Sequence, residues 1–224
     1  MSGDWDKPIE NSIDGIRHGM IQFDGVEFDL RLTMDGKLVL FHDNHLSKQQ
    51  TETLGGTKWT EDHTAEELAE LGIETFEQLL ADDVFTHSWR EHGKVACVEL
   101  KMPHPNSKIA GSVKPKKREK HARTMAKLVD SMLNEVGLQQ SNVVLISFKR
   151  RFRLACARAN VRWPVAQLQP AIPEIGNRRV KRFLTLPSFM WLSLAFHLKH
   201  QKMVGAPILP CALEYVYGAT RHIT

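Results

Sequence analysis

Residues 25–32 read Gly-Val-Glu-Phe-Asp-Leu-Arg-Leu, with apolar and charged side chains in strict alternation. A period of two this sharp belongs to an extended strand with one face against a core. Val26, Phe28, Leu30 and Leu32 then share one face, and Glu27, Asp29 and Arg31 share the other. Asp35-Gly36 follows as a tight-turn pair, and a second strand is predicted over 37–43, closing a hairpin. If the turn has two residues, Asp29 faces His42.

The same reading places strands over 95–101 and 143–148. Helices are predicted over 13–21, over 64–80 with a capping-box start at Thr64-Ala65-Glu66-Glu67, over 123–136 ending at Gly137, and from the end of the fourth strand to about Ala159. Gly72 interrupts the second of these. Residues 108–123 are predicted as a loop or helix entrance, and beyond Pro164 the pattern fades. Strands alternating with helices define an α/β chain. At 224 residues the natural architecture is a TIM (β/α)8-type barrel, one domain over 1–224.

Composition narrows the class further. With 42% hydrophobic and 25% charged residues the chain folds rather than staying disordered. Cys97, Cys156 and Cys211 form no CxxC pair, which argues against a disulfide framework or a cysteine-rich zinc site. The start, Met1-Ser2-Gly3-Asp4-Trp5-Asp6, lacks a basic stretch followed by an apolar run, so a cytoplasmic setting is expected. Charge is divided along the chain. Residues 1–100 carry 8 Lys and Arg against 21 Asp and Glu, whereas residues 101–224 carry 22 against 5. The basic half is suited to an anionic partner.

Two further stretches bear on partners. Lys114-Pro115-Lys116-Lys117-Arg118-Glu119-Lys120 has no interleaved aromatics, so it is read as a solvated loop and no nucleic-acid partner is expected. Residues 183–198 hold 11 apolar residues of 16 between basic flanks. The run is too short, and too broken by Pro187, to span a bilayer. Burial in the barrel is the favoured reading, and peripheral membrane contact is the alternative.

Two pairs of residues carry the chemistry. Glu27 and Asp29 leave the same face of one strand, and Glu99 and Lys101 repeat that geometry on another. A single charged pair on a strand usually just faces solvent. Three carboxylates meeting at one point would instead form an all-oxygen site suited to Mg²⁺ or Ca²⁺. His42, placed beside two carboxylates by the hairpin, would have its protonated form favoured, as a general acid needs.

Glu10-Asn11-Ser12, the run from Gly25 to Gly36 and the run from Val39 to Leu46 together resemble the glycerophosphodiester phosphodiesterase family. Thr75-Phe76-Glu77-Gln78-Leu79-Leu80, Val98-Glu99-Leu100-Lys101 and Ile146-Ser147-Phe148 extend the match over about residues 8–150. The resemblance implies a TIM barrel with its site at the C-terminal ends of the strands, and metal-dependent hydrolysis of a small-molecule phosphodiester to an alcohol and glycerol 3-phosphate. It implies that Glu27, Asp29 and Glu99 bind a divalent cation, Ca²⁺ or Mg²⁺. His42 takes the place of one of two acid/base histidines, and Lys101 and Glu10 become substrate-binding positions. The attacking group in this family is often the substrate's own glycerol hydroxyl, which forms a cyclic phosphate before water opens it. The family's His-Arg-Gly motif and late strand have no visible counterpart, so the barrel is expected to be incomplete or divergent at both ends. An impaired relative or fragment that keeps a metal or phosphate site is the alternative function.

Overall fold

The computed structural model describes residues 8–91, 93–108, 115–168 and 208–209. Strand β1 is Gly25–Leu32, β2 is Leu38–Leu40, β3 is Val95–Leu100, β4 is Val143–Ser147, β5 is Val165–Leu168 and β6 is Ile208–Leu209. They form one sheet in the order β2-β1-β3-β4-β5-β6. All neighbours are parallel except β2, which runs antiparallel to β1 at the edge. Helices α1 (Ile13–Gln22), α2 (Lys48–Leu54), α3 (Ala65–Ala69), α4 (Phe76–Leu80), α5 (Asp83–Trp89), α6 (Pro115–Glu135) and α7 (Arg150–Ala159) make up the rest. The units β3–α6–β4 and β4–α7–β5 are β-α-β crossovers, and the whole is an incomplete (β/α) barrel.

The alternation in β1 decides which residues meet. Phe28, Leu30, Ala96, Val98, Val143 and Leu145 enter the main core between the sheet and its helices. Residues of opposite parity turn to the other face, where Ile146, Ala166 and Leu168 pack with Cys97 and Phe148. Glu27, Asp29 and Glu99 share the parity of that second face, so the same pattern that buries Phe28 gathers the carboxylates. Gly25 allows the close approach this requires: a Cβ there would lie 2.0 Å from the Val95 carbonyl oxygen.

Several expectations are corrected. The hairpin loop has three residues, 34–36, because Thr33 and Lys37 still pair: Thr33 N donates to Lys37 O at 2.9 Å, and Lys37 N donates to the Thr33 hydroxyl at 2.9 Å. Gly36, at φ 80°, supplies the left-handed residue of such a loop. The register therefore pairs Leu30 with Leu40, and Asp29 stands opposite Phe41 rather than His42. The predicted helix over 64–80 is two short helices. Thr64 and Thr75 each start one with a capping box, and Gly72, at φ 74°, separates them. The basic stretch read as a solvated loop is the first two turns of α6 from Pro115 onward, with proline at the start where its missing N–H costs nothing. Beyond Pro164 there is a strand, β5. Residues 183–198 and Cys211 lie outside the described residues. Among the described residues no helix is long and apolar enough to cross a membrane.

Helix α6 buries Ala122, Met125, Ala126, Val129 and Leu133 along one face. His121 joins that face. Its Nε2 is buried without a hydrogen-bond partner, and burial, then the charge of Arg31, lowers its pKa to about 4. A base held neutral in the fold and free to protonate when unfolded stabilises the fold fully above its unfolded pKa of about 6.5. That contribution is lost as pH falls from there towards 4, and amounts to about 3 kcal/mol. Urea titrations at pH 7.5 and pH 4.5 should show His121→Met losing about that much less stability than the wild type between the two.

Candidate metal and phosphate site

Asp29 and Glu99 sit side by side on β1 and β3, in the register that also pairs Glu27 with Cys97. One oxygen from each of Glu27, Asp29 and Glu99 falls within 4.8 Å of the others. Asp29 and Glu99 are buried, while Glu27 stands over them in reach of solvent. Partial loss of hydration, then the charges of Asp29 and Glu99, push the Glu27 carboxyl up to about 7. Burial also raises Glu99, against the pull of Lys101. Lys101 Nζ lies 2.8 Å from Glu99 Oε2 and 2.9 Å from Asp29 Oδ1. Burial opposes its charge, but these two carboxylates outweigh burial and raise its pKa. A lysine from the basic half of the chain thus sits among acids from the other half.

Asp29 is further held by a residue the sequence reading passed over. Asn11 Nδ2 donates to Asp29 Oδ2 at 2.9 Å, and Asp29 N donates to Asn11 Oδ1 at 2.8 Å. Asn11 makes this two-point contact from a left-handed backbone at φ 57°, a conformation asparagine tolerates better than most residues. The signal was its place between Glu10 and Ser12. Ser12 caps α1, its hydroxyl accepting from Gly15 N at 3.1 Å, a task serine performs as well as threonine. Glu10 is exposed, and its charge adds slightly to the rise at Glu27.

His42 lies just past β2, exposed, with Nδ1 2.9 Å from Asp43 Oδ1. It is not wedged between carboxylates as the two-residue turn implied, but its charge reaches Glu99. Its carbonyl oxygen accepts from Arg31 Nη2 at 2.6 Å and Nε at 3.1 Å, so this side chain of β1 holds the segment that follows β2. Arg31 also pairs with the buried Glu61, Nη1 to Oε1 at 2.6 Å. A cleft of about 390 Å³ opens here, lined by Arg31, Asn44, Glu99, Lys101, Ser147 and Lys149.

The donor set fits a hard divalent ion. Every candidate ligand atom is an oxygen, and Asp29 Oδ1 is buried and accepts no well-directed hydrogen bond despite the nearby ammonium. If Asn11 orients Asp29 towards such an ion, Asn11→Gly, which keeps the backbone angle accessible, should weaken Ca²⁺ or Mg²⁺ binding about 10–100-fold in a calorimetric titration.

The fold is an open α/β barrel that gathers three carboxylates and a lysine on one face of two neighbouring strands. The model of the "Glycerophosphoryl diester phosphodiesterase family" matches residues 1–190, and the chain belongs to that family. A glycerophosphodiester phosphodiesterase of Bacillus subtilis is 34% identical over 80 residues, 36% of this chain and 23% of that relative. The match thus spans less than two thirds of the relative's length. A glycerophosphodiester phosphodiesterase from Parabacteroides distasonis shares the fold, with a TM-score of 0.58 at 20% identity over 92% of this chain and 78% of the other. A phosphodiesterase from Oleispira antarctica, solved with its product sn-glycerol-3-phosphate, gives a TM-score of 0.52 at 18% identity over 80% and 68%.

Proposed function

We propose that this chain hydrolyses glycerophosphodiesters to an alcohol and glycerol 3-phosphate. The observation that carries the reading is the convergence of Glu27, Asp29 and Glu99 with Lys101 on one face of β1 and β3. Family membership and the product held by the Oleispira antarctica relative support it.

In this reading Glu27, Asp29 and Glu99 hold Ca²⁺ or Mg²⁺, which when bound polarises a phosphoryl oxygen and offsets developing charge. Lys101, already poised between two carboxylates, turns its ammonium to a second phosphoryl oxygen. His42 takes a proton at Nε2 from the attacking glycerol hydroxyl, or gives one there to the departing alkoxide; the alcohol leaves as a cyclic phosphate closes, and water then opens that ring to glycerol 3-phosphate. Asp43 at Nδ1 fixes which nitrogen does so. Glu10 borders the substrate at the exposed rim.

The test is release of glycerol 3-phosphate from glycerophosphodiesters with Ca²⁺ or Mg²⁺, before and after chelation. Turnover that vanishes with chelator, and falls about 10²–10⁴-fold in His42→Ala, supports the proposal. Folded protein that binds the ion and glycerol 3-phosphate but turns over nothing would replace it with a non-catalytic phosphate-binding role.

A further inference from the structure

A second concavity, of about 490 Å³, adjoins the catalytic cleft. It is bounded by His45, Ser47, Lys48, Thr51, Glu52 and Lys58. Consecutive residues line the two spaces: Asn44 the cleft and His45 the concavity. Asn44 Oδ1 and His45 Nδ1 are 3.0 Å apart, so the two side chains are tied to each other.

The lining carries two lysines and a histidine against one carboxylate, that of Glu52. Lys48 has an exposed partner, Glu52, at 3.8 Å. Lys58 has no carboxylate partner among the described residues; its ammonium stands 4.8 Å from the centre of the Trp59 ring. Trp59 is in turn stacked on His104, with centroids 3.7 Å apart and planes 6° from parallel. Backbone pairing fixes the same strip, since Leu46 N donates to Lys58 O at 2.7 Å and His45 bridges to Trp59. Positive charge also gathers behind the stack. Loss of hydration, then Lys58, His45 and Arg118, lower the His104 pKa, and Arg118 Nε is buried with no hydrogen-bond partner. The cleft adds Lys149 at its own mouth.

We propose that the concavity of His45, Ser47, Lys48, Thr51 and Lys58 is an anion subsite for the alcohol side of the diester. It takes a phosphomonoester, or a group of like charge, carried by that alcohol. The inference rests on the function proposed above and names its substrate class: glycerophosphodiesters of anionic alcohols are preferred over those of neutral ones, and over those of quaternary ammonium alcohols. A compact dianion beside two ammonium groups and an imidazole gains charge-assisted hydrogen bonds that a neutral alcohol cannot make, and a trimethylammonium group meets like charge.

The test compares kcat/KM of the metal-loaded protein for three diesters whose alcohols are a phosphorylated polyol, the same polyol unphosphorylated, and choline. The phosphorylated alcohol is expected to lead the unphosphorylated one by at least tenfold. Lys58→Glu should cut that ratio at least tenfold, and raising the salt concentration should narrow it in the wild type. Equal ratios in wild type and Lys58→Glu would overturn the proposal. If no diester is turned over, the functional reading falls, and a separate measurement decides the subsite. Inorganic phosphate added to metal-free protein should perturb the His45 side-chain NMR signals in the wild type but not in Lys58→Glu; no perturbation in either overturns the subsite too. Loss of binding to anionic phosphatidylserine vesicles in Lys58→Glu, with alcohol preference unchanged, would overturn it in favour of a membrane surface.

Discussion

Asp29→Asn should leave a folded protein that no longer gains stability from Ca²⁺ or Mg²⁺ and turns over glycerophosphodiesters at least about 10³-fold more slowly. The substitution keeps size and shape, so the β1 packing around Phe28 and Leu30 is unchanged. It removes the charge from the one carboxylate that is buried, contacts Lys101 and is oriented by Asn11. A ligand present at a hundred times its dissociation constant stabilises a fold by about 2.7 kcal/mol. Melting the wild type and Asp29→Asn with and without the ion reads that increment directly, independently of turnover. A variant that keeps the ion-dependent rise in Tm would move the site away from β1.

Much of the site could be read from short-range pattern. Strand parity alone puts Glu27 with Asp29, and Glu99 with Lys101, on common faces, and the sheet needs only to place β1 beside β3 for the four to meet. What parity cannot supply is loop length. Asp35-Gly36 suits two-residue and three-residue hairpin loops alike, and the choice was made by Thr33, whose hydroxyl takes the Lys37 N–H. One residue of difference moved His42 from opposite Asp29 to just beyond the strand. The start of α6 was hidden for a similar reason. Its opening turns, including Lys116, Lys117 and Lys120, are exposed and carry little apolar periodicity until Ala122. β5, at four residues, is too short for a periodic signal. Asn11 and Arg31 act on partners 18 and 30 positions away, a separation no local window contains.

Arg31→Met should destabilise the fold by about 3–5 kcal/mol, because it strands a buried carboxylate. Arg31 and Glu61 have side-chain exposures of 5% and 1%. Burial pushes each towards its neutral form, and each holds the other charged. With Arg31 gone, Glu61 keeps the backbone N–H of His104 but has no cationic partner among the described residues. Arg31 also ties together two chain segments that flank the cleft. Its fork reaches the His42 carbonyl on one side and the Met102 carbonyl, at 3.4 Å, on the other. A lysine carries the charge but not the planar fork, so Arg31→Lys should recover part of the stability while leaving His42 loosely held. Arg31→Met/Glu61→Leu removes both charges together and should be more stable in urea than Arg31→Met alone, since no unpaired ion remains. If the pair were only structural, that double variant would also regain turnover. If Arg31 sets the position of His42, stability returns without it, and kcat stays depressed with KM little changed.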